Sequence, residues 1–353
     1  MIKAEIIADS ENEFGNRITT MRVVFPRYIL AELNTHRMLS KNSASSRAIP
    51  FQKLLQSVKE NPFIPIAWQK DHSGMQGSEY FTDKEDINYI TKNWLLSRDF
   101  AVQEAENLSS CGVTKQLVNR LLEPFMYHTV LITATEWENF FSLRCPQYEF
   151  TFDHTDTKIF RSRKDLIRYG ASYHKDKYND ILFWLQLNKG MADIHMIALA
   201  ETMWDAYNES TPKKLNADDW HIPFEDTINL SDLTNTLKEL NGEVYENMFL
   251  PTKIKISTAM CARTSYTVIG EEGKRPNLLN DIKLHDRLSL NGHWSCFEHC
   301  AKSMNQIEYN EVYNSINKSN GGIVKDFGWS GNFRGFIQYR KMFANENITV
   351  NGK

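Results

Sequence analysis

The chain has 353 residues, 41% of them hydrophobic and 24% charged, and these globular values allow one large domain or two ordinary ones. Its formal net charge of −3 excludes an overall cationic field for nucleic acid, so any anion-binding site has to be local. Five cysteines are few for this length and odd in number, which favours a reducing compartment over a disulfide framework.

The chain shows no signal for export or for membrane insertion. Its first residues, MIKAEIIADSENEFG, include acids and no long apolar stretch, and so predict no signal peptide. No apolar run approaches the ~18 residues of a membrane span. We therefore predict a cytoplasmic protein that has no membrane partner.

The first third of the chain predicts a strand, a helix, a loop and a long helix. RITTMRVVFP is rich in β-branched residues and predicts a strand that ends at Pro26. RYILAELNTHRMLS has apolar residues at helical spacing, which predicts a helix leading into a polar loop, NSASSRAIP. Residues 51–82 hold short pieces rich in aromatics, prolines and glycines. The long helix follows, capped by Thr82 or Asp83 and ended by Gly112.

Three more helices are predicted in the middle of the chain. TKQLVNRLLEPF begins one that Pro124 stops or kinks. TATEWENFFSLR is the next, with Thr135 as its expected cap, and MADIHMIALAETMWDAYNE follows with an apolar stripe that includes Ile194 and Ile197. Residues 145–190 are polar, aromatic and charged, which predicts an insertion between these helices.

The last third is predicted to mix loop, strand and helix. NADDWHIPFEDTINLSD predicts a loop, TKIKISTAMCARTSY a strand that turns helical, and NDIKLHDRLSL a helix. WSGNFRGFIQYRKMF predicts a strand and a turn before a short helix. We find no internal repeat and no strong linker, so the chain is predicted to be a single α+β domain, residues 1–353.

The usual nucleotide-binding signatures are missing. There is no G-x-G-x-x-G after a strand and no G-x4-G-K-[ST], and GEEGK has the wrong spacing. A phosphate would therefore be held by side chains and hydroxyl-rich loops. THRMLSKNSASSR (35–47) is one such stretch, and its residues alone leave open a solvated polar loop or an anion site.

Three other features have both a structural and a chemical interpretation. HWSCFEHC (293–300) holds residue types that ligate zinc, but no second ligand pair lies nearby, which favours a packed turn with a buried histidine. Cys145 follows the C-terminal end of a predicted helix, the wrong pole for a thiolate, which favours a structural role. Arg120 and Arg144 lie in apolar sequence and need an anion or a carboxylate, and Glu123 is the predicted structural partner of Arg120.

Several stretches together resemble one family, the flavin-dependent thymidylate synthases or ThyX family. THRMLSKNSASSR resembles its RHRxxSxNExSxR signature. NRLLEPF is similar to its R-x-x-L-P segment, with Glu123 where Leu is usual, and TATEWENFFSLR to its helix ending N-F-L-x-L-R. CARTSY and GHWSCFEHC are similar to its A-R-x-[SC] and G-H-x-[ST]-P-F-E-H elements. Those two elements precede the signature in a typical member but follow it here, which predicts a circularly permuted, ThyX-like fold with long helices.

The chain also departs from the family pattern. Thr35 stands at the signature's first Arg, Ser43 at its Glu, and Glu32 at a Gln that lies near the substrate in the family. Met191 and Asp193 align loosely with the Gln and Glu of the family's A-Q-x-E-I. The lost Arg and Glu touch flavin or nucleotide in the family, so these positions indicate where the substrate could differ.

The resemblance implies a transferase of nucleotide biosynthesis that binds FAD. Members take dUMP, methylenetetrahydrofolate and NADPH, make dTMP, and work as homotetramers whose active sites are shared between subunits. They use no cysteine nucleophile, in agreement with a structural Cys145. Two alternatives remain: the same scaffold acting on another pyrimidine nucleotide or giving a hydroxymethyl product, and a non-catalytic flavin or nucleotide binder.

The resemblance also implies residue roles, and no metal ligand is among them. Arg144 would be catalytic, stabilising negative charge on the N3/O2 side of uracil. The implied substrate-binding residues are Glu32, Ser43, Ser45, Ser46, Arg47, Arg120 and Arg144. The implied cofactor-binding residues are His36, Arg37, Ser40, Asn42, Asn139, Ser265 and Ser295. Ser45, Ser46, Arg47 and Arg120 would hold the phosphate, and Arg120 is expected to meet the serine loop across a subunit interface.

Overall fold

The fold is seen in a computed structural model, which describes residues 1–74, 77–152, 156–169, 179–188, 192–266, 277–317 and 331–346. Two sequence features considered above, Met191 and GEEGK (270–274), lie outside these residues.

The described strands and helices alternate irregularly along the chain. The strands are β1 (Lys3–Asn12), β2 (Arg17–Pro26), β3 (Ser40–Ser43), β4 (Tyr127–Ala134), β5 (Tyr148–Phe152), β6 (Asp156–Phe160), β7 (Lys213–Leu215), β8 (Trp220–His221), β9 (Ala301–Ser303) and β10 (Phe336–Gln338). The helices are α1 (Leu30–Leu33), α2 (Phe51–Glu60), α3 (Lys84–Ser110), α4 (Lys115–Val118), α5 (Glu138–Arg144), α6 (Arg163–Tyr169), α7 (Ile181–Leu187), α8 (Ile194–Glu209), α9 (Leu230–Asn241), α10 (Phe249–Arg263), α11 (Leu278–Leu290) and α12 (Gln306–Asn317). The predicted α+β class is confirmed.

A five-stranded sheet of order β3-β4-β2-β1-β7 forms the middle layer. Only the β1–β7 pairing is parallel, and β2 pairs with β4 from Thr19↔Ala134 to Pro26↔Tyr127. The predicted strand at β2 is confirmed, and it is buried on both faces because each face is covered. One face packs on α5 and α8, and the other on α10 and on the 3-10 helix Ser295–Glu298.

The prediction of the long helix is confirmed, and the structure decides between its two candidate caps. The Asp83 carboxylate accepts hydrogen bonds from the backbone N–H groups of Glu85 (2.8 Å) and Asp86 (3.1 Å). This is the N-cap arrangement that satisfies donors left free in the first helical turn. Gly112 follows the helix with φ of 83°, a backbone conformation that favours glycine.

The predicted helix after Pro26 is wrong in extent. The chain makes a 3-10 turn at Arg27–Ile29 and the short α1, then turns again and enters β3. Asn, Thr and Ser are weak helix formers, and β3 instead pairs with β4. The signature stretch therefore begins on a turn, crosses an edge strand and ends in the loop before α2.

Three other local predictions are wrong. TKIKISTAMCAR is helical throughout as α10, because its alternating apolar residues are buried on several sides of one helix rather than on one face of a strand. Phe51–Glu60 is a regular helix rather than short pieces. The N-cap position of α5 is Trp137, and the hydroxyl of Thr135 instead accepts the backbone N–H of Arg334 (2.9 Å).

The remaining segments follow the predictions more closely. Pro124 lies inside the 3-10 helix Asn119–Phe125 that ends the α4 region, and α8, α11 and the final strand and turn are confirmed. Between residues 145 and 190, β5, β6, α6 and α7 pack around Trp184 against α8. That these residues form an insertion, and that residues 1–353 form a single domain, both remain predictions. No described helix is long and apolar enough to cross a membrane.

Candidate active site

Arg144 ends α5 and is held by Glu32 of α1 and by His36 of the turn that follows α1. Its Nε donates to Nε2 of His36 (2.9 Å), and its Nη1 donates to the carboxylate of Glu32. Both partners are more than one hundred residues away along the chain, 108 and 112 positions respectively. The Arg144 side chain is about one-fifth exposed.

Both the ring and the backbone oxygen of His36 are in contact with other residues. Its ring lies edge-on against Phe140 (4.9 Å between centroids), and its backbone oxygen accepts from Nζ of Lys41 (2.6 Å). Burial lowers the pKa of His36 to about 4, with the nearby cations Arg144 and Lys41 adding to the shift. His36 is therefore neutral, and because its Nε2 accepts, its proton lies on Nδ1. The cofactor contact predicted for His36 stays a prediction, and its ring Nε2 faces Arg144.

A second cluster adjoins Glu32. The hydroxyl of Tyr28 donates to Asp193 (3.0 Å) and contacts Nδ1 of His195, whose Nε2 accepts the backbone N–H of Ile66 (2.9 Å). Burial raises the pKa of Glu32, and Asp193 raises it further, while Arg144 opposes the shift. The sequence did not predict Tyr28 or His195 as site residues. Neither a single Tyr in a turn nor a single His on an apolar helix belongs to a motif.

A polar cleft of about 600 Å³ is connected to Arg144 through His36, whose backbone oxygen accepts from Lys41 of the cleft. Its lining residues are Asn34, Arg37, Leu39, Ser40, Lys41, Ser43, Glu298, Asn332, Gln338, Arg340 and Lys341. Three predicted site residues, Arg37, Ser40 and Ser43, are among them. The C-terminal segment supplies the last four, and the only sequence signal for them was the basic character of QYRKMF.

The cleft has an excess of positive charge. Arg340 pairs with Glu298, and Arg340 and Lys341 both bind Glu346 (2.9 Å each). Burial lowers the pKa of Lys41 to about 8, and repulsion from Arg37 adds to the shift while Glu298 partly offsets it. Arg37 and Lys41 are therefore two cations of one cleft, an arrangement that favours a bound anion.

The segments that resemble separate family elements pack together on β3. The amide of Asn42 donates to the backbone oxygen of Cys261 (2.6 Å) and accepts at Oδ1 from the hydroxyl of Ser295 (3.2 Å). The backbone N–H of Ser45 donates to the oxygen of Ser265 (3.1 Å). Ser40 accepts from the amides of Asn332 (2.8 Å) and Gln338 (3.4 Å). Asn139 is exposed on α5 and is not brought to the cleft.

The predicted phosphate-binding residues meet at a carboxylate within one chain. The hydroxyl of Ser46 and the guanidinium of Arg120 both donate to Oε1 of Glu123, at 2.6 and 2.8 Å. The predicted Arg120–Glu123 pair is thus confirmed, and contact with the serine loop needs no second subunit. Arg47 is exposed and binds Gln116 (3.2 Å).

Cys145, Cys296 and Cys300 are all buried. Among the described residues no group of three or more His, Cys, Asp or Glu side chains is placed to hold a metal. HWSCFEHC forms the packed turn, with His299 fully buried beside Thr133 (2.8 Å) and its pKa lowered by burial to about 3. Cys145 is 1% exposed, and burial raises the pKa of its thiol, so a thiolate is disfavoured there.

Comparison with known proteins gives only distant similarity. No protein-family model matches the chain, and no curated protein matches it in sequence. Among solved structures, it is similar to PolB from Streptomyces cacaoi, a UMP/dUMP methylase, bound with 5-Br dUMP (13% identity, TM-score 0.39, covering 59% of this chain and 90% of that one). The same enzyme bound with 5-Br UMP gives 14% identity, a TM-score of 0.41, and coverage of 59% and 89%.

Proposed function

We propose that this protein is a flavin-dependent enzyme that modifies C5 of a pyrimidine nucleotide. The simplest reaction is that of a thymidylate synthase, in which a one-carbon unit from methylenetetrahydrofolate is transferred to dUMP and reduced, with NADPH as the reductant, to give dTMP. One observation carries the proposal. Arg144, held by His36, is linked through that residue to a cleft with an excess of positive charge, and segments that resemble the ThyX family supply the arginine and one side of the cleft.

The cleft suits a dinucleotide cofactor such as FAD. Its size falls in the range of ligand pockets, roughly 300–1,000 Å³. Arg37 and Lys41 would bind the pyrophosphate, because an anion offsets the repulsion between these two cations. Ser40, Asn332 and Gln338 offer hydroxyl and amide groups for a flavin's polar edge. When bound and reduced, the flavin would supply the hydride.

Arg144 would provide electrostatic catalysis. A guanidinium is planar, permanently charged and able to bind two acceptors at once, which suits the O2 and N3 side of uracil. Negative charge that develops there makes C5 nucleophilic, and a fixed cation stabilises that charge without reorganising. His36 and Glu32 already hold the guanidinium in one orientation, so little ordering cost remains at the moment of reaction.

A cytosine nucleotide is the second candidate substrate, and Glu32 is the observation that favours it. A carboxylate accepts the N4 amino group of cytosine but repels O4 of uracil, whereas the family's glutamine can serve either base. Glu32 lies on Arg144, where the base is expected. The substitutions at Thr35 and Ser43 also remove family contacts to flavin or nucleotide.

Two measurements test the proposal. Purified protein, loaded with FAD if necessary, should show a flavin absorption spectrum. NADPH oxidation and formation of a C5-modified product should then require both folate and a nucleotide, assayed with dUMP and dCMP side by side. A protein that cannot be loaded with FAD contradicts the enzymatic proposal. A flavoprotein without nucleotide-stimulated turnover would instead be a non-catalytic binder.

A further inference from the structure

Glu123 contacts two of the donors, Ser46 and Arg120, that the family resemblance assigns to the substrate phosphate. Its Oε1 accepts from the Ser46 hydroxyl (2.6 Å) and from Nη1 of Arg120 (2.8 Å). Its Oε2 lies 3.9 Å from Nη2 of Arg27, a third donor on the turn after β2. One carboxylate therefore engages a hydroxyl and two guanidinium groups, which are the donor types that bind phosphate.

This arrangement is more than a local ion pair on a helix. An exposed i,i+3 pair such as Arg120–Glu123 adds little to stability by itself. The third member, Ser46, lies 77 residues away in the chain and is only 5% exposed. A buried hydroxyl needs a partner, and here that partner is charged.

The backbone restricts the positions of Glu123 and Ser46. Glu123 precedes Pro124 inside the 3-10 helix Asn119–Phe125, and proline restricts the residue before it. The side chain is one-fifth exposed, so a ligand can reach it from solvent. Ser46 is fixed as well, because its backbone oxygen accepts from the buried amide of Asn119 (2.6 Å).

We propose that Glu123 is a specificity-determining residue, an internal anion that takes the place of the substrate phosphate. A phosphate that enters must displace the carboxylate or sit beside it against like-charge repulsion. The 5′-phosphate then adds little to affinity, and the site accepts a free pyrimidine nucleoside almost as well as its monophosphate. This inference rests on the proposed function for placing a nucleotide here.

Replacement by glutamine isolates the charge. Glu123→Gln keeps an acceptor for Ser46 and Arg120 and removes the negative charge. Calorimetry on FAD-loaded protein would compare dUMP, deoxyuridine and inorganic phosphate as ligands. We expect Glu123→Gln to bind dUMP and phosphate at least about tenfold more tightly, because one charge removed ~5 Å from a phosphate is worth roughly that factor at intermediate effective dielectric. Deoxyuridine affinity should not change. Glu239→Gln, an exposed carboxylate on α9, is the matched control and should leave all three affinities unchanged.

The outcomes separate this inference from the proposed function. Unchanged or weaker phosphate binding by Glu123→Gln overturns the inference, since the carboxylate would then only organise the donors. A wild-type preference for dUMP over deoxyuridine of a hundredfold or more also overturns it. If phosphate binding tightens but neither dUMP nor deoxyuridine binds in any variant, the anion site stands and the proposed nucleotide substrate fails.

Discussion

Arg144 depends on two residues that are not themselves expected to react. His36 and Glu32 each fill one side of its guanidinium, and His36 can do so only as the neutral Nδ1–H form. This changes the interpretation of the signature histidine. His36 orients Arg144, and its backbone oxygen links it to Lys41 in the polar cleft.

The role of His36 predicts a non-additive pair of substitutions. Arg144→Ala should lower kcat at least about a hundredfold, since a charge-stabilising donor is lost. His36→Ala should lower kcat between about ten and a hundred times through misplacement of Arg144, and should leave FAD affinity nearly unchanged. The double variant should be no slower than Arg144→Ala alone.

His36→Gln is the matched control for that pair. Its amide oxygen can accept from Arg144, so part of the rate should return. Additive losses in the double variant, or a loss of flavin binding in His36→Ala, would show that His36 contacts the cofactor directly.

Lys41 gives the cleft a pH dependence. Its pKa is lowered to about 8 from the ordinary 10.5, so an empty cleft loses this charge as the pH rises through 8. A bound anion favours the charged form. The affinity for FAD should therefore be greatest below pH 8 and fall by about tenfold toward pH 10.

Two substitutions distinguish Lys41 from other sources of that pH dependence. Lys41→Arg keeps the charge at every accessible pH and should make FAD affinity flat between pH 7 and 10. Lys41→Met should be flat as well, but with weaker binding throughout. Fluorescence titration of FAD measures both, and an unchanged pH profile in both variants would assign the effect to another group.

At the scale of elements, helix caps and sheet edges decide where a helix or a strand begins. The helix α3 starts where a side chain satisfies free N–H groups, and few of its own residues, chiefly Val102 and Ala105, are buried. The strand β3 forms because β4 offers an unpaired edge, although its sequence, SKNS, has weak β-propensity. Local sequence signals were sufficient to predict α3 but not to predict β3.

The cap of α3 gives a test at this scale. Asp83→Ala should lower the free energy of unfolding by about 1 kcal/mol, because two backbone donors lose their acceptor. Thr82→Ala, one residue earlier, should change stability by less than about 0.5 kcal/mol, as a surface substitution away from the cap does. Urea unfolding of the two variants measures both, and equal losses would mean that Thr82 shares the cap.

At the scale of the whole molecule, buried histidines make the fold sensitive to acid. Burial lowers the pKa of His128, His221 and His299 to about 3, while an unfolded histidine titrates near 6.5. Between these values the unfolded chain binds protons that the folded chain excludes. Stability is therefore lost as the pH falls below 6.5, by roughly 2 kcal/mol for each such group at pH 5.

His128 is the place to test this sensitivity. Among the described residues neither of its ring nitrogens has a hydrogen-bond partner, although the side chain is 2% exposed. His128→Leu should lose less stability between pH 7 and 5 than the wild type, by roughly 2 kcal/mol. His72→Leu, at an exposed position, should follow the wild-type curve. Thermal unfolding at several pH values compares them, and parallel curves for His128→Leu and wild type would contradict the account.

Quaternary structure belongs to this scale as well. The homotetramer implied by the family resemblance, the rearranged order of the family elements and the cytoplasmic location remain predictions. Ser46 and Arg120 already meet within one chain through Glu123, so a subunit interface is not needed to bring this part of the site together.

The amino-acid sequence by itself determined the local and periodic features. It predicted the strand ending at Pro26, the long helix up to Gly112 and the Arg120–Glu123 pair, because each depends on residues within a few positions of one another. Its motifs also pointed to His36 and Arg144 as members of one site, although not to each other as partners.

Only the tertiary structure decided which distant residues meet. It joined Arg144 to Glu32 and His36, placed the C-terminal residues Arg340 and Lys341 in the cleft, and set Glu123 between Ser46 and Arg120. It also turned SKNS into a strand and TKIKIST into a helix. These outcomes depend on sheet edges, burial on several sides and charge pairing across long stretches of chain, which no window along the sequence contains.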